Sequence, residues 1–185
     1  MIWLRPDVLP PNNRKVEIDI SQLLVTASDF PSGWKADGIP QPASGDEFDW
    51  GKENIFSGFH TIDGQGFAYQ YVYKFRNEAA AEYGFFWIKQ QGYLTPPTNG
   101  KVPTKWKYKS SIADEWLFGC SVGSRVCTLL ARYDEFIISF DVSINSENMT
   151  FDDLEYIIKV IDENISNYLR LNNTTFLIMK PWTAQ

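Results

Sequence analysis

Hydrophobic positions between Ser111 and Leu169 follow two successive rhythms. Trp116, Phe118 and Cys120 alternate with polar or small residues, and so do Cys127, Leu129, Ala131 and Tyr133. Ile138, Phe140 and Val142 continue the alternation, which is the period of a strand with one face buried. After Thr150 the rhythm becomes helical: Leu154, Ile157, Ile158, Ile161, Ile165, Tyr168 and Leu169 form one stripe, while Glu155, Lys159, Asp162 and Glu163 fall mostly on the other face. Thr150 fits the N-cap, and Asp152 and Asp153 suit a first turn whose free N–H groups favour negative charge. Three strands and one covering helix are therefore predicted.

The turns between those strands set a register. In Val122-Gly123-Ser124-Arg125, glycine at the first central position predicts a two-residue type II′ turn. It places Cys120 opposite Cys127, Phe118 opposite Leu129 and Trp116 opposite Ala131. A two-residue turn at Tyr133-Asp134-Glu135-Phe136 sets Ala131 opposite Ile138, Leu129 opposite Phe140 and Cys127 opposite Val142. Asp-Glu is a poorer turn pair than Asp-Gly, so a longer loop is the alternative there. Facing cysteines on an antiparallel ladder have Cα atoms about 4.5–5.5 Å apart, within reach of a disulfide; a two-residue turn puts them at the wider, hydrogen-bonded kind of pair. A Cys120–Cys127 disulfide is expected, with two buried thiols as the alternative.

The same reading extends along the chain. Residues 1–15, with Pro6, Pro10, Pro11, Asn12 and Asn13, predict an extended arm or linker. Val16, Ile18 and Ile20 alternate with charge as an edge strand would, and Ser21 to Ser28 gives a short helical turn ended at Pro31. Trp34 is expected to plug the edge of the core. Phe48, Trp50 and Phe56 mark a strand that pairs with Phe67, Tyr69, Tyr71, Tyr73 and Phe75 across the Asp63-Gly64 hairpin signal, with Phe56 opposite Tyr71. Asn77 caps a helix from Glu78 to about Gln91, stopped by Gly92, Pro96 and Pro97. The order helix, strand, strand, helix, strand, strand, strand, helix predicts an α+β fold: a twisted antiparallel sheet of five or more strands with helices packed on it. Residues 16–173 form one domain in this reading, and 174–185 an apolar tail.

Composition narrows the function classes. With 17 basic against 23 acidic residues the net charge is −6, and no Lys/Arg cluster overrides it, which argues against nucleic acid or an anionic membrane as partner. No apolar run reaches a membrane span, and no basic-then-apolar leader stands at the N-terminus, so no export signal or anchor is read in this chain. A disulfide would favour an extracytoplasmic location, at the cell surface or secreted. Aromatics make up 16% of the chain, enough for a large core with some left for a surface.

The motifs Leu23-Leu24, Asp29-Phe30-Pro31, Gly33-Trp34, Ala113-Asp114, Cys120, Cys127, Ala131-Arg132-Tyr133 and Ile161-Asp162 carry a resemblance across residues 21–169. In these the chain resembles the small exported lipoproteins and the extracellular sensor domain of the receptor kinase PknH. That resemblance implies a disulfide-containing α+β domain outside the cytoplasm that binds a ligand or partner without catalysis. The kinase sensor has more than one disulfide, whereas the two cysteines here allow one, so any pocket shaped by a second bridge does not carry over.

Reactive constellations are few. His60, the one histidine, sits by the Asp63-Gly64 turn and is expected at the surface. One histidine and two cysteines cannot build a zinc tetrad, no calcium-loop spacing or phosphate-binding glycine pattern is present, and neither metal nor cofactor is expected. Asp114 and Glu115 are neighbours on a strand and cannot act as a paired-acid site. Asp114 shares parity with Trp116 and Phe118, so an inward carboxylate opposite Tyr133 is expected, hydrogen-bonded structurally or touching a ligand. Trp50, Tyr73, Trp106 and Tyr108, near strand ends and loops, are the other candidate ligand contacts. Asn148, Asn164, Asn172 and Asn173 open N-x-S/T patterns, relevant only in a glycosylating host. A non-catalytic, extracytoplasmic binding or sensor domain for a small molecule or cell-envelope partner leads. A hydrolase-like enzyme using an inward carboxylate and a structural or assembly protein are the alternatives. If the bridge forms, alkylation under denaturing, non-reducing conditions adds no label to the intact mass; two labels would mean free thiols. Removing a bridge over so short a loop should cost about 2 kcal/mol of stability.

Overall fold

In the computed structural model, residues 16–42, 51–91, 101–121, 125–145 and 147–173 are described. The alternating stretches form strands β1 (Trp34–Ala36), β2 (Gly51–Thr61), β3 (Phe67–Phe75), β4 (Glu115–Cys120), β5 (Val126–Tyr133) and β6 (Phe136–Ser143). They lie in the order β1-β2-β3-β6-β5-β4, every neighbouring pair antiparallel. The fold is α+β, with helices α1 (Glu78–Gln91) and α2 (Phe151–Asn173) packed on the sheet.

The expected registers are present: Cys120 faces Cys127, Leu129 faces Phe140 and Phe56 faces Tyr71. The turn after β4 differs. The Ser121 N–H donates to the Val126 carbonyl at 2.8 Å, so a hydrogen-bonded pair closes the loop one position earlier than a two-residue turn allows, and Arg125 takes a left-handed φ of 54°. Cys120 and Cys127 therefore occupy the narrow, non-hydrogen-bonded pair, with Cα atoms 4.0 Å apart, and they form a disulfide. At the next turn Tyr133 does pair with Phe136, and Asp134 occupies the first central position with φ 56°.

One face of the sheet is sealed by α2. Thr150 caps it, with Asp153 reciprocating, and Leu154, Ile157, Ile158, Ile161 and Ile165 are fully buried in one cluster with Leu129, Ile138 and Phe140. Asp162, expected on the outer face, is also buried; its two carboxylate oxygens accept the hydroxyls of Tyr108 and Tyr133, each at 2.5 Å. Those bonds tie the segment before β4 to the helix. The expected strand at Val16 to Ile20 is absent: the Asp19 carboxylate caps the Ser21 N–H and starts a 3-10 helix, Ile20–Leu23, followed by a second, Ala27–Asp29. Gln70, buried in β3, holds this segment by accepting from the Val25 N–H and donating to the Leu23 carbonyl. Trp34, expected at the core edge, is buried there in β1, its indole N–H bonded to the Asn148 carbonyl.

Helix α1 lies on the opposite face, where Ala80, Ala81, Phe85 and Ile88 cover Tyr73, Phe75, Leu130 and Ile137. Asn77 caps it as expected, accepting from the Ala80 N–H. Gly84 lets the helix sit close: a Cβ there would meet the Phe75 ring at 2.5 Å. Phe48, Trp50, the arm 1–15 and the tail 174–185 lie outside the described residues. The α2 interface predicts that Ile158→Ala costs about 2–5 kcal/mol in denaturant unfolding, whereas Tyr156→Ala, on the exposed side, changes stability by less than about 0.5 kcal/mol.

Candidate functional site

The ladder pairings place side chains in rows across the face that carries α1. Glu115, Arg132, Ile137, Tyr73 and Asn54 form one row; Leu117, Leu130, Ser139, Tyr71 and Phe56 the next; Gly119, Thr128, Asp141, Tyr69 and Gly58 the third. Helix α1 covers the first row at Ile137 and Tyr73, and Tyr71 and Leu117 stand at its margin. Beyond it, Phe56, Phe67, Tyr69 and Tyr71 are half-buried and packed ring to ring, Phe56 lying 4.8 Å from Tyr71 and 5.7 Å from Tyr69 between centroids.

Two polar groups sit among these rings at the centre of the sheet. Asp141 accepts one hydrogen bond, from the Thr128 hydroxyl at 2.5 Å. Burial pushes its carboxyl above the ordinary range, the Thr128 bond opposing. Burial and the neighbouring Asp141 charge also push the Tyr71 phenol up. Ser139, two residues earlier on β6, is fully buried, and among the described residues its hydroxyl has no hydrogen-bond partner. A buried hydroxyl normally finds one, so this vacancy in the bonding pattern is informative. The sequence does carry a cue for both residues: in the otherwise apolar run Phe136 to Val142 they are the polar ones on a shared parity.

The residues singled out from sequence are spread over the fold. Tyr73 is buried beneath α1. Trp106 and Tyr108 are on the opposite face, packed against the α2 core; the Trp106 indole donates to the Tyr108 carbonyl at 2.6 Å, and the Lys159 ammonium lies 5.3 Å from the Tyr108 ring. Tyr108 has its phenol pushed far up by burial and by the bond to Asp162. Asp114 stands just before β4, whose ladder with β5 ends at Glu115 opposite Arg132, and its N–H donates to the Arg132 carbonyl at 2.9 Å. Its carboxylate, however, turns outward: 40% exposed, it accepts from the Arg132 guanidinium at 3.2 Å and from the Asp134 N–H at 2.6 Å. It thereby closes the β5–β6 turn, and Arg132 joins it to Glu115 and Glu78. Trp50 lies outside the described residues. His60 belongs to β2 rather than to the turn, and its Nδ1 is hydrogen-bonded to Asp37. Among the described residues no hydroxyl or thiol is bonded to the other ring nitrogen.

Elsewhere, Ile20, Pro42, Glu53, Asn54 and Ile55 line an open hollow of about 410 Å³ at the β2 edge. Lys74 sits nearby, bonded to Glu17 at 2.9 Å and 3.8 Å from Glu53. Among the described residues no three His, Cys, Asp or Glu side chains cluster as metal ligands would, and no helix is long and apolar enough to cross a membrane.

No family model and no curated protein sequence matches the chain. Among solved structures it is similar to the extracellular domain of PknH from Mycobacterium tuberculosis, with 9% identity and a TM-score of 0.48 over 81% of this chain and 94% of that one.

The Asp141 shift has a consequence for stability. Because the native carboxyl is raised, its ionised form disfavours the fold, and that cost sets in as pH rises through the native value. Asp141→Asn, which keeps an acceptor for Thr128, should therefore raise the melting temperature near pH 7. The gain should vanish below the ordinary carboxyl range. Calorimetry across pH checks both parts.

Proposed function

We propose that this is a non-catalytic, sensor-like binding domain that works outside the cytoplasm, with its ligand site on the half-covered sheet face around Asp141. The observation that carries this reading is the pair of under-satisfied groups, the Asp141 carboxylate and the Ser139 hydroxyl, set among half-exposed aromatic rings. Apolar surface with a few convergent polar atoms is what a small-molecule site requires. The cross-strand disulfide supports the compartment, since such bridges persist where the surroundings are oxidising.

An enzyme would need a second reacting group beside the carboxylate. Among the described residues Thr128 is the only hydrogen-bond partner of the Asp141 carboxylate, and His60, bonded to Asp37, stands two strands away on β2. The assembly alternative rested on the arm 1–15 and the tail 174–185, and no observation on the described residues favours it.

A thermal-shift screen of sugars, amino acids, amines and cell-envelope fragments tests the reading. A ligand specific to the folded state should raise the melting temperature with concentration, by the equivalent of about 2.7 kcal/mol at a hundredfold excess over Kd. The shift should disappear in Tyr71→Ala. Turnover of an ester, phosphate or glycoside, abolished by Asp141→Asn or Asp114→Asn in folded protein, would replace this reading with an enzyme.

A further inference from the structure

We propose that the ligand of this face is an organic cation, an amine or guanidinium on a flat apolar body, with its N–H groups on the Asp141 carboxylate and its body against Tyr69 and Tyr71. The inference rests on the binding reading above and adds the chemical class.

Asp141 sits in the middle of a five-strand row, with Tyr69 on one side and Thr128 on the other. Carboxylates this far into a sheet are normally paired with a cation. Among the described residues the one hydrogen bond to Asp141 comes from a neutral hydroxyl and reaches only Oδ1. The buried cations of the described residues are engaged elsewhere: Lys74 with Glu17 and Glu53, Arg132 with Asp114, Glu115 and Glu78. Among the described residues no cationic side chain lies within ion-pair distance of Asp141. A bound ammonium or guanidinium would supply the missing charge.

The surroundings fit the same class. The rings of Phe56, Tyr69 and Tyr71 offer apolar area and the negative π-density that attracts a partly desolvated cation. Ser139, paired with Tyr71 in the neighbouring row, adds a hydroxyl that no described residue bonds. A net charge of −6 favours the approach of cations over anions. An anionic ligand would meet the carboxylate directly, and a neutral polyol would leave its charge without a counter-ion.

Benzamidine and benzamide share a shape and differ in charge, which makes them suitable probes for the full chain. In two-dimensional NMR titrations, benzamidine should shift backbone amides at Tyr69–Tyr71 and Ser139–Asp141 saturably in the millimolar range, with benzamide weaker by about tenfold or more. Asp141→Asn should remove that preference while leaving the protein folded and no less heat-stable. Tyr69→Leu, which keeps the carboxylate, should weaken benzamidine as a second, independent check. Equal binding of the two probes, or indifference of benzamidine to Asp141→Asn, would overturn the cation while leaving the site in place. If a sugar or another neutral compound moves those amides and benzamidine does not, the cation is again overturned and the binding reading stands. If no compound of the screen moves them, both fall.

Discussion

Side chains in the middle of a sheet can point in only two directions, so a central strand must satisfy two layers at once. Strands β3, β5 and β6 carry that constraint here, and the two layers are unequal. Helix α2 and the two 3-10 helices lie over one face, whose core runs from Leu23 and Phe30 to Ile158 and Ile165. Helix α1, with 14 residues, shields a smaller cluster on the other face. What α1 leaves uncovered is a strip of sheet interior with a surface on one side.

Polar groups on the two faces behave differently in consequence. On the sealed face Gln70 uses both ends of its amide, and Asp162 receives two phenols. Both are structural in the strict sense: each ties a segment without regular pairing to the core, and the fold itself uses the bonding capacity of each. On the half-covered face, among the described residues, Ser139 has no partner and Asp141 has one neutral donor. An incompletely satisfied buried group costs stability, so the two faces differ in how fully the fold uses its polar groups.

Most of the architecture was legible in the sequence because period and turn chemistry agreed. The cysteine register survived even though the turn was misassigned: a four-residue loop and a two-residue turn can connect the same facing pairs, and only the hydrogen-bonding phase of those pairs distinguishes them. Parity worked less well for acids. Asp114 shares its parity with Trp116 and Phe118, but it stands at a strand end, where its carboxylate is free to swing to Arg132 and the Asp134 N–H. Asp162 lies beside Ile161 and Ile165 on the border of the helix stripe, and a wheel cannot foresee that two tyrosines from distant segments converge there. The segment Val16 to Ile20 alternates as a strand would, yet Asp19 can cap a 3-10 turn, and that local hydrogen bond prevailed.

The candidate site was hardest to read for a related reason. A residue on β6 is assigned to a site only once the cover on its face is known, and cover depends on where α1 comes to rest. Gly84 sets that position, because the helix approaches the Phe75 ring more closely than a side chain there would permit. Seated over Ile137 and Leu130, α1 reaches its margin at Tyr71, and the next row falls outside its shadow. The half-exposure of Tyr69 and Asp141 is thus a property of helix length and seating rather than of the strand. Phe86 and Trp87 on α1 remain solvent-exposed while the rings of β3 beside the helix are only half covered, so the helix buries one side of itself and stops short of closing the face. The position of Asp141, in the row beyond the margin of that cover, follows from the same geometry.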